Sequence, residues 1–166
     1  MKKIALIIIG IFLLIGFLSL IYYLVNPKDQ SEKKIVSYNL KDKEKPKVEV
    51  KNKFIDLGEM KVSDEKRGEF IIKNIGQKPL QLFNVSSSCG CTLGQIEIDG
   101  KLSEAFGMHS RSNWVGEVNP GKTAKVYAIY RPFVMPVYGL VGREVYVSTN
   151  DPLNPKLVFQ IKARVK

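Results

Sequence analysis

Towards the C-terminus the chain alternates: Leu157, Phe159, Ile161, Ala163 and Val165 are apolar, and Val158, Gln160, Lys162 and Arg164 lie between them. A period of two is what a strand with one buried face requires. The same rhythm marks Ala124, Val126, Ala128 and Tyr130, then Val145 and Val147, and Phe70 and Ile72. Further strands are expected at Val48 to Phe54 and Leu80 to Val85. Turn chemistry separates them, at Asn74-Ile75-Gly76-Gln77-Lys78-Pro79, Asn119-Pro120-Gly121-Lys122, Tyr138-Gly139, Asn150-Asp151-Pro152 and Asn154-Pro155. No stretch beyond residue 46 keeps a helical period. The pattern predicts one all-β domain over 47–166, a single antiparallel β-sandwich of roughly six or seven strands, large enough for one core and too small for two.

The N-terminus is patterned differently. From Ile4 to Val25 no residue is charged, and a helix of that length reaches roughly 33 Å, enough to cross a hydrocarbon core of about 30 Å. A single transmembrane helix is therefore expected over residues 4–25, preceded by a cytoplasmic tip carrying Lys2 and Lys3, with Tyr22 and Tyr23 at the interface. No A-x-A-like cleavage site follows, so the helix is expected to remain as an anchor. Residues 1–26 then form tip and anchor, 27–46 a charged tether, and 47–166 the sandwich, placed outside the cytoplasm at the cell membrane.

Charge refines the list of partners. The chain carries a formal net charge of +10, with lysines concentrated between Lys28 and Lys53. Such a stretch suits an anionic lipid or surface polymer, or is simply solvated. Nucleic acid is excluded as a routine partner, because an exported domain does not meet it and no strand face interleaves basic and aromatic residues.

Sulfur chemistry is confined to one place. The two cysteines are Cys89 and Cys91, one residue apart in Ser86-Ser87-Ser88-Cys89-Gly90-Cys91-Thr92. Three states are open to them. Exported pairs normally oxidise; residues two apart on an extended strand stand too far apart to bridge, and Gly90 can turn the chain so that they do, giving a bond suited to thiol redox. Reduced, the pair could share a soft ion with Met108, His109 and Met135, a donor set favouring Cu(I) over Zn(II). Or the pair, buried or quietly oxidised, only caps the strand.

Catalysis finds less support. His109 is the one histidine, no motif sets it beside a serine and an acid, and no glycine loop is arranged to cradle phosphate. Glu97 and Asp99 read as a strand end, Trp114 as a cover over the sandwich end, and Asn84-Val85-Ser86 as a chance glycosylation match on a strand. No catalytic residues are expected. The function expected is non-catalytic binding or scaffolding of an envelope protein, with soft-metal binding or thiol redox at the cysteines as the alternative.

Phe70-Ile71-Ile72-Lys73-Asn74-Ile75-Gly76, Pro79-Leu80, Val85 through Ser88-Cys89-Gly90-Cys91-Thr92, Pro120-Gly121, Tyr130-Arg131-Pro132 and Ser148-Thr149-Asn150-Asp151-Pro152 follow one another in order. That string resembles a bacterial domain-of-unknown-function family marked by an S-C-G-C-T motif, itself similar to the ASH, major-sperm-protein and PapD domains. The resemblance covers about Lys53 to Val165 and implies an immunoglobulin-type sandwich, often exported, with no established activity. An insertion, roughly Gly94 to Glu117, departs from the family spacing.

Overall fold

The structure, a computed structural model, describes residues 12–19, 34–110 and 112–166. The chain divides into two compact units, Met1–Glu32 and Lys33–Lys166. In the first, residues 12–19 are helical with exposed side chains. The rest of the span expected over residues 4–25 lies outside the described residues. Among the described residues no helix is long and apolar enough to cross a membrane.

The second unit is a sandwich of ten strands: β1 (Val48–Val50), β2 (Phe54–Met60), β3 (Lys66–Asn74), β4 (Leu80–Ser87), β5 (Thr92–Ile98), β6 (Lys101–Leu102), β7 (Val115–Val118), β8 (Thr123–Tyr130), β9 (Gly139–Thr149) and β10 (Lys156–Val165). One sheet has the order β1-β3-β8-β5-β6 and the other β2-β10-β9-β4-β7. The alternation in β10 is realised in full: Leu157, Phe159, Ile161, Ala163 and Val165 are buried. They meet Phe70 and Ile72 of β3 and Val126 and Ala128 of β8 in a single core, where the Phe70 and Phe159 rings stand 4.9 Å apart.

Two expectations change. The single strand expected over Val48 to Phe54 is divided between the sheets, β1 pairing with β3 and β2 with β10. The polar run Lys51-Asn52-Lys53 carries the chain across, and Asn52 Oδ1 accepts the Phe54 N–H at 3.0 Å where β2 begins. Nor are the sheets wholly antiparallel, since β2 lies parallel to β10.

The insertion is built into the sheets. Asp99 and Gly100, at φ 49° and 75°, form a two-residue turn between β5 and β6, a geometry Asp-Gly favours because both positions need positive φ. β7 then joins the edge of β4. Trp114 packs beside Gly116 and lies 5.6 Å from the Phe106 ring, closing the flank where β5 faces β7 instead of a sandwich end.

One end of the sandwich is held by buried polar side chains. Asn74 Nδ2 donates to the carbonyls of Lys78 and Val118, both at 2.8 Å, while its Oδ1 accepts the Gly76 N–H at 2.9 Å. A Cβ at Gly76 would fall 2.4 Å from the Lys47 nitrogen, so only glycine admits the neighbouring chain. Asn150 Oδ1 accepts the Gln81 N–H and Asp151 Oδ2 the Val48 N–H, at 2.8 and 2.9 Å. Within the expected tether, residues 34–46 lie against this end: Gln81 accepts from the Val36 N–H and donates to the Lys34 carbonyl, and Lys78 pairs with Glu44 at 2.7 Å.

Candidate functional site

The cysteines sit at the opposite end, in the turn from β4 to β5 that crosses between the sheets. Serine and threonine hydroxyls shape this turn. Ser88 exchanges bonds with Glu144 of β9, its N–H donating to the carbonyl at 3.0 Å and its Oγ accepting the Glu144 N–H at 2.9 Å. Ser87 Oγ lies 2.9 Å from the Cys89 carbonyl and 2.6 Å from that of Thr92, and the Thr92 N–H closes the turn onto the Cys89 carbonyl at 3.3 Å. The four residues of the turn are thus folded back on themselves, with the Cys89 and Cys91 Cα atoms 5.4 Å apart and their sulfurs joined in a disulfide. The structure holds the pair bridged, a state common to the redox and the capping readings.

The two sulfurs differ in surroundings. Cys91 is fully buried and Cys89 half-buried. The Arg143 Nε donates to Cys91 Sγ at 3.2 Å, and its guanidinium carbon lies 5.6 Å from the centre of the Tyr130 ring, within the range of a cation–π contact. Since disulfide sulfurs carry no hydrogen, the Thr92 hydroxyl is the donor in its contact with Cys89 Sγ at 3.3 Å. Among the described residues, Tyr130 Oη is the one buried side-chain oxygen or nitrogen without a hydrogen-bond partner.

Cys89 opens onto a groove. β4 ends at Ser87, paired with Val145, while β9 continues back to Gly139 alongside β10. The β4-facing side of β9 is therefore without a strand partner over residues 139–143. From the cysteine turn a cavity of about 610 Å³ extends across the sheet over β9, β10 and β2, lined among others by Cys89, Leu140, Gly142, Arg143, Gln160 and Phe54. Gly142 leaves its floor open, since a Cβ there would meet nothing within 4 Å. Glu144 accepts hydrogen bonds from the Tyr146 hydroxyl at 2.6 Å and from Gln160 Nε2 at 2.8 Å; these bonds, Tyr146 first, hold its carboxyl below the usual carboxylate range, against a smaller opposing effect of burial.

Beside the groove runs an apolar segment that is left uncovered. Phe133, Val134, Met135, Val137, Tyr138 and Leu140 are all exposed, Tyr138 at 71% and Leu140 at 59%.

The five nominated donors do not gather. Cys89 and Cys91 are bonded to each other, and Met135 packs over their turn, its sulfur 3.9 Å from where a Gly90 Cβ would stand. Met108 instead lines a separate cavity with Phe106 and Trp114, and His109 is exposed in a turn of the insertion. Among the described residues no group of three or more histidine, cysteine or acidic side chains is placed to hold a metal ion. The sequence motifs do not single out Arg143. Its signal is a charged residue at an inward position of β9, in step with buried Val141 and Val145.

Fold and site together define an Ig-like sandwich with a three-residue disulfide turn beside an open groove. Residues 48–101 match the sequence model of the family described as "Protein of unknown function (DUF1573)", which bears out the resemblance carried by the S-C-G-C-T motif. Among solved structures, the chain is similar to a protein of unknown function from Porphyromonas gingivalis W83, with 19% identity and a TM-score of 0.54. That match covers 72% of this chain and 46% of the other, so the chain spans about half the length of that relative. The ASH / PapD-like domain of human CEP192 is 20% identical, with 80% of this chain and 96% of that domain covered and a TM-score of 0.49. The CsuC–CsuE chaperone and tip adhesion subunit complex of Acinetobacter baumannii is 12% identical, over 72% of this chain and 52% of that one, with a TM-score of 0.40. No curated protein matches the chain.

Proposed function

We propose that the chain is a membrane-anchored, envelope-facing binding module without catalytic turnover, and that it holds a polypeptide at the disulfide end. The observation that carries this reading is the groove beside β9 with its uncovered apolar rim, Phe133 to Leu140. Exposed apolar residues that are contiguous mark an interaction surface, whereas scattered ones need no explanation. The sheet edge is a weaker candidate. β2, the longest edge strand, is capped by its own side chains: Lys66 Nζ donates to the carbonyls of Leu57 and Glu59 at 3.0 and 2.7 Å, and Asp56 Oδ1 accepts the Gly58 N–H at 2.8 Å. Occupied edge groups discourage strand addition. β9 has no partner strand on its β4-facing side over residues 139–143, but its Gly142 carbonyl is already taken by Arg143 Nη1 at 2.8 Å, so an extended peptide is held there chiefly by the apolar rim.

The uncharged run from Ile4 to Val25 supports the anchor, and oxidised cysteines suit the space outside the cytoplasm. The test of the binding surface is selection of ligands from a displayed peptide library by the full chain in detergent. Ligands are expected to be lost on Leu140→Glu and on Gly142→Trp, and retained on Ile75→Glu at the opposite end. Ligands indifferent to both groove variants would contradict the assignment. Reporter fusions at the C-terminus test the orientation, an active periplasmic-type reporter being expected and a cytoplasmic one contradicting it.

A further inference from the structure

We propose that the Cys89–Cys91 bridge is a thiol–disulfide exchange centre for a cysteine-bearing polypeptide, with Cys89 Sγ attacked and Cys91 Sγ leaving. The inference rests on the binding surface above only for the identity of the partner. The chemistry of the bridge stands on its own geometry.

Three observations assign the roles. Cys89 lines the groove and is partly open to solvent, whereas Cys91 is fully buried, so an incoming thiolate reaches one sulfur and not the other. The negative charge that gathers on Cys91 as the bond breaks faces the Arg143 Nε–H at 3.2 Å; a donor already aimed where charge develops lowers the barrier without reorganisation. A stabilised leaving thiolate also departs faster. Arg143 itself is held in place, stacked over the Tyr130 ring and bonded through Nη1 to the Gly142 carbonyl at 2.8 Å.

The reaction balances with one partner class, a polypeptide dithiol. Its first thiol loses a proton and attacks Cys89, forming a mixed disulfide while the Cys89–Cys91 bond breaks and its electron pair goes to Cys91. The partner's second thiol loses its proton and attacks the partner sulfur of the mixed disulfide, releasing Cys89 as thiolate. The partner is oxidised by two electrons and the bridge is reduced by two. The two protons go to the released sulfurs or to solvent.

The groove makes a polypeptide the expected source of the thiol. Its apolar rim and the strand-free side of β9 offer contacts to a chain and little to a small hydrophilic thiol such as glutathione.

The oxidised full chain in detergent is mixed with a cysteine-containing peptide bearing apolar flanks, or with glutathione, then acid-quenched, alkylated and mapped by mass spectrometry. The expected adduct lies on Cys89 with alkylated Cys91. An adduct on Cys91, or an equal split, overturns the roles. Arg143→Met is expected to slow the reaction of both thiols by about tenfold, with Arg143→Lys restoring part of it. Unchanged rates in an Arg143→Met protein with native circular dichroism overturn the part given to the guanidinium. The peptide is expected to react about tenfold faster than glutathione because binding raises its effective concentration, and Leu140→Glu should bring the ratio of the two rates down to about one. Equal rates for peptide and glutathione overturn the polypeptide assignment. Failure of library selection with an adduct still on Cys89 would sink the binding surface and spare the exchange roles.

Discussion

The two ends of the sandwich are built on opposite plans. At one, Asn74, Gln81, Asn150 and Asp151 are buried and bonded to backbone from several strands. At the other, the chain turns through a bridge of three residues beside an open groove and an apolar segment left bare. The family-like motifs are shared between them. Asn74-Ile75-Gly76 and Asn150-Asp151 fix the fold, while Cys89 lies partly open beside the groove.

The sharpest way to break this contrast is at Asn74. Asn74→Ala strips partners from two carbonyls and the Gly76 N–H, and is expected to cost about 3 kcal/mol in urea unfolding of the full chain. A loss under about 1 kcal/mol would remove Asn74 as a pin.

Next in size is the bridge. Closing a loop of three residues restricts the unfolded chain little, and the chain-entropy relation gives about 1.6 kcal/mol, against about 3 for a fifteen-residue loop. Cys89→Ser with Cys91→Ser should therefore cost less than Asn74→Ala by the same measurement. If the order reverses, the bridge is a staple and the two ends are alike.

Tyr130 sharpens the contrast in the other direction. Its hydroxyl is buried without a partner, so Tyr130→Phe removes a desolvated group and should raise stability by about 1 kcal/mol while keeping the ring beneath Arg143. A loss of similar size would mean that the hydroxyl is satisfied in solution.

The smallest effect is electrostatic. Tyr146, then Gln160, hold the Glu144 carboxyl low in the folded chain. Its stabilisation is present above the unfolded carboxyl's range and is lost as pH falls through the lowered folded value. Exposure and solvent screening keep the effect small. Acid titration of stability should show a slightly shallower loss in Glu144→Gln, and an identical profile would take Glu144 out of the account.

The long strands were legible because their inward positions are apolar at every second residue, as in β10 and β8. β5 was hidden because its inward residues include Thr92 and Gly94, which carry no apolar signal although both are buried. β2 was hidden for a related reason: Gly58 adopts φ 70° and the register with β10 shifts between Lys162 and Arg164, so the alternation is broken. At the site, the cysteines announced themselves and Arg143 did not. Its contact with Cys91 joins residues 52 apart, a pairing fixed by the turn from β4 and the length of β9.

The contrast between the ends comes down to whether the bridge meets thiols in the folded chain. The direct measurement is the rate of its reduction by a fixed thiol concentration as urea is raised towards the unfolding transition. The account predicts rapid reduction in the absence of urea and little change below the transition, because Cys89 is reached without opening the sandwich. A rate that is negligible in native buffer and rises in step with the unfolded fraction would contradict it.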